Sequence, residues 1–132
     1  MRHVIVVEDD PHNAMLFRKL FEKRMGCRVS HTESPAELFA LARAGADLIV
    51  MDVSLGNSQW AGRPVSGVDL CRMLKGDPET SLVPVMLATA HAMRGDAESL
   101  LAESGADDYV SKPILDHARF AEQAEALMKE AA

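Results

Sequence analysis

The sequence predicts an α/β fold, a doubly wound parallel sheet of five strands with helices on both faces. Three observations carry that expectation. Five short apolar runs alternate with longer amphipathic stretches from one end to the other, the pattern of repeated βα units. Three of the runs are nearly continuous in Val, Ile, Leu and Met, as strands buried on both faces should be. At 132 residues and 48% hydrophobic, the chain has the size of one domain and enough apolar side chains to cover both faces of a sheet.

The elements follow in order. A first strand spans His3 to Glu8. Asp10 and Pro11 read as the N-cap and first residue of a helix that runs to about Met25 and stops at Gly26. Cys27 to Thr32 alternates polar and apolar residues, which suits a half-exposed edge strand. Ser34-Pro35-Ala36-Glu37 has capping-box spacing, and Leu38, Leu41 and Ala42 then share one helical face before Gly45. The third strand is Asp47 to Asp52. After it comes Val53 to Ser66, too long for an ordinary βα loop and the carrier of the only tryptophan, Trp60. Two readings of Trp60 stay open: it folds back on the domain, or it contacts a partner.

A third helix is expected from Gly67 to Lys75, with Val68, Cys71 and Leu74 inward, and a fourth strand from Pro84 to Thr89. A helix from Asp96 to Ser104 turns Ala97, Leu100 and Leu101 inward, and Asp108 to Ser111 forms the fifth strand. The last helix, Ile114 to Ala131, buries Phe120, Ala124, Leu127 and Met128. With no repeat, low-complexity tract or linker, residues 1–132 read as a single domain without an output domain.

The composition narrows the function. A net charge of −6 opposes attraction to nucleic acid or anionic lipid, so no direct nucleic-acid partner is expected. Cys27 and Cys71 stand far apart without metal-ligand spacing and read as reduced core thiols. No apolar run approaches the length of a membrane span and no leader pattern follows Met1, so a cytoplasmic protein without membrane insertion is expected. His3, His12, His31, His91 and His117 share no spacing and read as surface or capping residues.

The chemistry lies at the strand ends, where open α/β sheets bind ligands. The first strand ends in Glu8-Asp9-Asp10, the third in Asp52, the fourth in Thr89-Ala90, and Lys112-Pro113 follows the fifth. If the first and third strands are neighbours, up to four carboxylates meet in one crevice, which is repulsive unless a cation neutralises them. Oxygen-only donors select Mg²⁺ over metals that prefer His or Cys, and the absence of an Asp-x-Asp-x-Asp-Gly loop argues against calcium. Lys112 brings a mobile positive charge and Thr89 a hydroxyl donor, so the set can hold a dianionic phosphoryl group beside a nucleophilic carboxylate. Asp10 is explained by capping before Pro11.

Val-Val-Glu-Asp-Asp-Pro at 6–11, Ile-Val-Met-Asp at 49–52, Leu-Ala-Thr-Ala at 87–90 and Asp-Tyr-Val-Ser-Lys-Pro at 108–113 resemble the four signature stretches of the receiver domains of two-component response regulators, in their single-domain, chemotaxis-regulator-like form. The resemblance spans essentially the whole chain. It implies a flavodoxin-like (βα)5 fold with strand order 2-1-3-4-5. It makes Asp52 the phospho-acceptor and a metal ligand, Asp9 a direct ligand of Mg²⁺, Glu8 a ligand mainly through water, and the backbone carbonyl of Ser54 a further metal contact. Mn²⁺ is a possible substitute. Thr89 and Lys112 would bind phosphoryl oxygens, Tyr109 would switch rotamer with Thr89, and Pro113 would follow a cis peptide bond. A sensor histidine kinase or histidine phosphotransfer protein is the implied phosphodonor, with an unnamed protein target downstream.

The chain departs from the family in its third loop. Gly56 stands where a proline is usual, and Gly67 comes late, after an insertion. Ser54 and His91 fall at positions that vary in the family and influence dephosphorylation. Three rival functions fit these residues less well. A haloacid-dehalogenase-like phosphatase needs a second Asp where Ser54 stands. A flavodoxin-like electron carrier needs a phosphate-cradling first loop, which Glu8-Asp9-Asp10 would repel. A degenerate receiver acting as an unphosphorylated binding module remains the alternative, opposed by the intact Asp52, Thr89 and Lys112. Turnover is expected only as phosphoryl uptake and self-dephosphorylation.

Overall fold

The computed structural model describes residues 1–55, 58–90 and 94–131; the side chains of residues 94–96, 130 and 131 are excepted. Gly56 and His91 lie outside the described residues. Five parallel strands form the main sheet: β1 (His3–Val7), β2 (Arg28–Thr32), β3 (Leu48–Asp52), β6 (Val85–Thr89) and β7 (Asp108–Ser111). Their order is β2-β1-β3-β6-β7, the expected 2-1-3-4-5 arrangement once the two strands of a separate hairpin are set aside. The helices are α1 (Pro11–Lys19), α2 (Pro35–Ala44), α3 (Gly67–Gly76), α4 (Arg94–Ser104) and α5 (His117–Ala131).

The continuous apolar runs are explained by two cores, one on each face. Val4, Val6, Leu48, Val50, Met86 and Ala88 meet Phe17, Leu20, Phe21, Phe120, Ala124 and Met128 on the α1/α5 side. The intervening residues Ile5, Val7, Ile49, Met51, Val85 and Leu87 meet Leu38, Phe39, Leu70, Cys71 and Leu74 on the opposite side. Side chains alternate across a strand, so a strand buried on both faces needs an apolar residue at every position. Phe120 ties α5 to α1 through Phe17 and to the turn after α1 through Phe21, whose ring centroids lie 5.7 and 5.4 Å away. Such pairs add about 0.5–1.5 kcal/mol each beyond the area they bury. Both cysteines are buried and free, as expected.

Three expectations are corrected. The first helix leaves α geometry at Lys19 and widens into a π-helical turn over Leu20–Arg24, closed by the Cys27 N–H donating to the Phe21 carbonyl at 2.8 Å. The last helix starts at His117 rather than Ile114, because Asp116 is its cap: a side-chain oxygen accepts the Arg119 N–H at 3.0 Å, while Ile114 packs into the core. His3 is a buried residue rather than a surface one, its ring 2.7 Å from the Ser30 hydroxyl and 3.3 Å from the Gly45 carbonyl.

The long third loop contains a hairpin, β4 (Gln59–Trp60) and β5 (Arg63–Pro64). Ala61 and Gly62 both have positive φ, 53° and 79°, which gives a two-residue connection the twist that antiparallel strands require. Trp60 folds back on the domain and meets Phe39 of α2 edge-on at 4.8 Å, yet 39% of it stays exposed, so the partner-contact reading stays open as well. The Ser58 hydroxyl donates to the Glu33 carbonyl at 3.0 Å, and Leu55 and Val65 enter the second core. Among the described residues no helix is long and apolar enough to cross a membrane.

Candidate functional site

The winding reverses between β1 and β3, and the crevice at their carboxyl ends receives the acidic residues. Glu8 follows β1 directly and is wholly buried, while Asp52 ends β3 at 3% exposure. Carboxylate oxygens of Glu8, Asp9 and Asp52 lie within 4.8 Å of one another. Glu8 accepts the backbone N–H groups of Asp9 at 3.1 Å and Asp10 at 3.4 Å. Asp10 caps α1, accepting the His12 N–H at 2.9 Å, and lines the same cleft outside the close cluster of the other three carboxylates.

Lys112 reaches across from beyond β7. Its ammonium donates to Glu8 Oε1 at 3.0 Å and Asp52 Oδ1 at 3.1 Å, and its side chain is only 12% exposed. Asp52 Oδ1 also accepts the Ser54 N–H at 3.2 Å. The Lys112 backbone donates to the Thr89 carbonyl at 2.8 Å, which brings the end of β6 to the same rim, and Thr89 is buried there. The Lys112–Pro113 peptide is cis, as the resemblance implied. Tyr109 is half-buried against the second core. The cleft encloses about 390 Å³, lined among others by Asp9, Asp52, Ser54, Ala90, Lys112 and Pro113.

Burial, and then a hydrogen bond shared with Glu8, pushes the Asp52 carboxyl up to about 7, with Lys112 pulling the other way. For Lys112, burial opposes the ammonium, but Glu8 and Asp52 outweigh it and hold its pKa above that of free lysine. Carboxylates crowded enough to favour a proton will favour a cation instead when one is available. The donor set is oxygen throughout, which fits a hard dication such as Mg²⁺.

Two residues of the site play parts that a reading of the sequence did not assign them. Asn13, one helical turn after Asp10, lines the cleft and donates to Asp10 Oδ2 at 3.4 Å; the same-face spacing is the signal that could have found it. Gly67 is the other. A Cβ there would fall 1.9 Å from the Asp52 carbonyl oxygen and 2.8 Å from its carbon, and the Gly67 N–H donates to the Val53 carbonyl at 3.0 Å. No side chain fits between α3 and the end of β3, so the late glycine keeps its place beside Asp52 despite the inserted hairpin.

The sequence pattern of the response regulator receiver domain matches residues 4–125. The polar-differentiation response regulator DivK of Brucella ovis is 40% identical over 114 residues, covering 86% of this chain and 85% of that protein. DivK of Brucella anthropi is 39% identical over the same length. Among solved structures, the signal receiver domain of a signal transduction histidine kinase from Syntrophus aciditrophicus superposes with a TM-score of 0.80 at 27% identity, covering 98% of this chain and 92% of that one. The receiver domain of sensor histidine kinase PA1611 from Pseudomonas aeruginosa PAO1, with a magnesium ion coordinated in its active-site cleft, shares the fold at a TM-score of 0.79 and 24% identity, covering 97% and 98%. With crevice, strand order and sequence in agreement, the chain belongs to the response regulator receiver-domain family, which signals by phosphorylation in two-component systems.

Proposed function

We propose that Asp52 is the phospho-acceptor of a response regulator that takes its phosphoryl group from a sensor histidine kinase or histidine phosphotransfer protein. The observation that carries this reading is the Lys112 ammonium bridging Glu8 and Asp52, within a cluster of three carboxylates at the switch point of the sheet. An Asp52 carboxylate oxygen bonds to phosphorus as the bond from phosphorus to the donor breaks, leaving an acyl phosphate and the free donor. Water later attacks that phosphorus, restoring the carboxylate and releasing inorganic phosphate.

Lys112 is held where it can leave Glu8 and Asp52 to neutralise a phosphoryl oxygen, and Thr89 offers a hydroxyl to another. Glu8, Asp9, Asp52 and the Ser54 backbone carbonyl are the groups that would hold Mg²⁺, or Mn²⁺ in its place. When bound, the ion supplies charge neutralisation for the phosphoryl oxygens and the acceptor. Tyr109, half-buried beside β6, is the residue through which a displaced Thr89 would alter the β7/α5 face for a downstream protein in the cytoplasm.

Acetyl phosphate with Mg²⁺, read by intact mass, tests the reading. Wild type gains one phosphoryl unit only with the metal, and Asp52→Asn gains none. A wild type that takes up no phosphate over a range of donor concentrations would overturn it in favour of an unphosphorylated binding module.

A further inference from the structure

The groove between the β4–β5 hairpin and α3 takes no part in the chemistry at Asp52. It encloses about 580 Å³, and its walls include Trp60, Arg63, Pro64, Asp69, Arg72 and Met73. Trp60 and Met73 remain 39% and 37% exposed even though Trp60 spends part of its ring on Phe39. The hairpin is braced at both ends, by Ser58 on Glu33 and by Val65 in the core, so the groove is formed before anything enters it. Preorganisation of that kind removes the ordering cost a flexible loop would impose on binding.

The charges narrow the occupant. Several surface cations are paired, Arg2 with Glu125, Arg18 with Glu22, Arg43 with Asp77 and Glu79, and Lys75 with Asp107, while others such as Arg28 and Arg119 have no carboxylate partner among the described residues. Arg63 and Arg72 have no carboxylate partner among the described residues; Arg72 donates only to the Glu103 backbone carbonyl, at 3.0 Å. The one carboxylate in the wall, Asp69, is committed to the α3 capping box, accepting the Ser66 N–H at 2.9 Å and the Ser66 hydroxyl at 3.1 Å. Two guanidinium groups, neither paired with a carboxylate among the described residues, therefore line the groove beside Trp60, Pro64 and Met73 on a chain of net charge −6.

We propose that this groove docks an acidic, amphipathic segment of a partner protein. Its apolar side chains would pack on Trp60, Pro64 and Met73, and its carboxylates would pair with the planar forks of Arg63 and Arg72. An extended polyanion is disfavoured by the net negative charge of the domain, whereas a short acidic segment meets only the local positive potential. The proposal does not depend on phosphoryl transfer, and it is tested on the unphosphorylated chain.

A random twelve-residue phage-displayed peptide library is selected against the full chain and counter-selected against Arg63→Glu/Arg72→Glu. Enriched peptides are synthesised and titrated, with binding read by the emission of the sole tryptophan and by backbone amide NMR shifts. The expected peptides combine Asp or Glu with Leu or aromatic residues, saturably shift Trp60 emission and perturb amides of residues 59–73. They lose about tenfold or more in affinity for the double variant, which still takes phosphate from acetyl phosphate at the wild-type rate. Any one of four results overturns the proposal: no enrichment, enrichment without acidic excess, shifts centred on another face, or affinity indifferent to the charge reversal. So does sedimentation that places a second copy of the chain in the groove.

Discussion

At Asp52 burial and the neighbouring Glu8 both favour the protonated carboxyl, Lys112 favours the anion, and the balance stands at about 7 against an ordinary 3.8. Between those two values the folded chain holds a proton that the unfolded chain has lost. Stability therefore falls as pH rises through that window, and the penalty is complete above it. In EDTA, Asp52→Asn should raise the unfolding free energy at pH 8 by on the order of 1–3 kcal/mol, and by less at pH 5. Urea titrations at the two values check this; equal gains would show that charge at Asp52 is not the cause. Added Mg²⁺ should stabilise wild type more than the variant. The thiols make a simpler case. Burial pushes Cys71 up to about 11 and raises Cys27 as well, so both stay in the unreactive thiol form. Iodoacetamide at pH 8 should label neither in the native chain and both in guanidinium, as counted by mass.

Gly67 carries the argument to the level of elements, because what it accommodates is a backbone. Gly67→Ala must push α3 off the end of β3, where Asp52 is held by the ladder to β6. The expected loss is about 1–3 kcal/mol of stability, and uptake from acetyl phosphate should slow by roughly tenfold to a hundredfold. Thermal melts and mass spectrometry read the two effects; wild-type uptake in a folded variant would deny Gly67 a positioning role. That close approach was not legible in the sequence, since it joins residues separated by an insertion and leaves no side-chain signature. The hairpin was equally hidden: each of its strands has two exposed residues and no periodicity, and Ala61 occupies a turn position where Asn or Gly would have announced the positive φ. The π-helical turn retains the apolar spacing of an α-helix, so the pattern could not distinguish them. By contrast β1, β3 and β6 were readable because both faces are buried, and α2 because Ser34 and Pro35 mark its start.

For the molecule as a whole, the two cores are the opposite faces of the same strands, so neither can melt while the other persists. The hairpin shares the second core through Leu55 and Val65 and the Trp60–Phe39 contact. Urea unfolding followed by Trp60 emission should therefore coincide with unfolding followed by far-ultraviolet circular dichroism; an earlier fluorescence transition would mark the hairpin as a separate unit. The carboxylate end of the site was legible at this scale because strand termini converge in any sheet wound this way, so Glu8, Asp9, Asp52 and Lys112 could be brought together from their order along the chain. Lys112 also lies 104 residues from the Glu8 it bonds. A nascent chain emerging from the ribosome has its acidic residues early and their counter-charge last. Until β7 is in place the crevice is a bare cluster of negative charge, and a translation product that stalls before residue 112 lacks the ammonium that bridges Glu8 and Asp52.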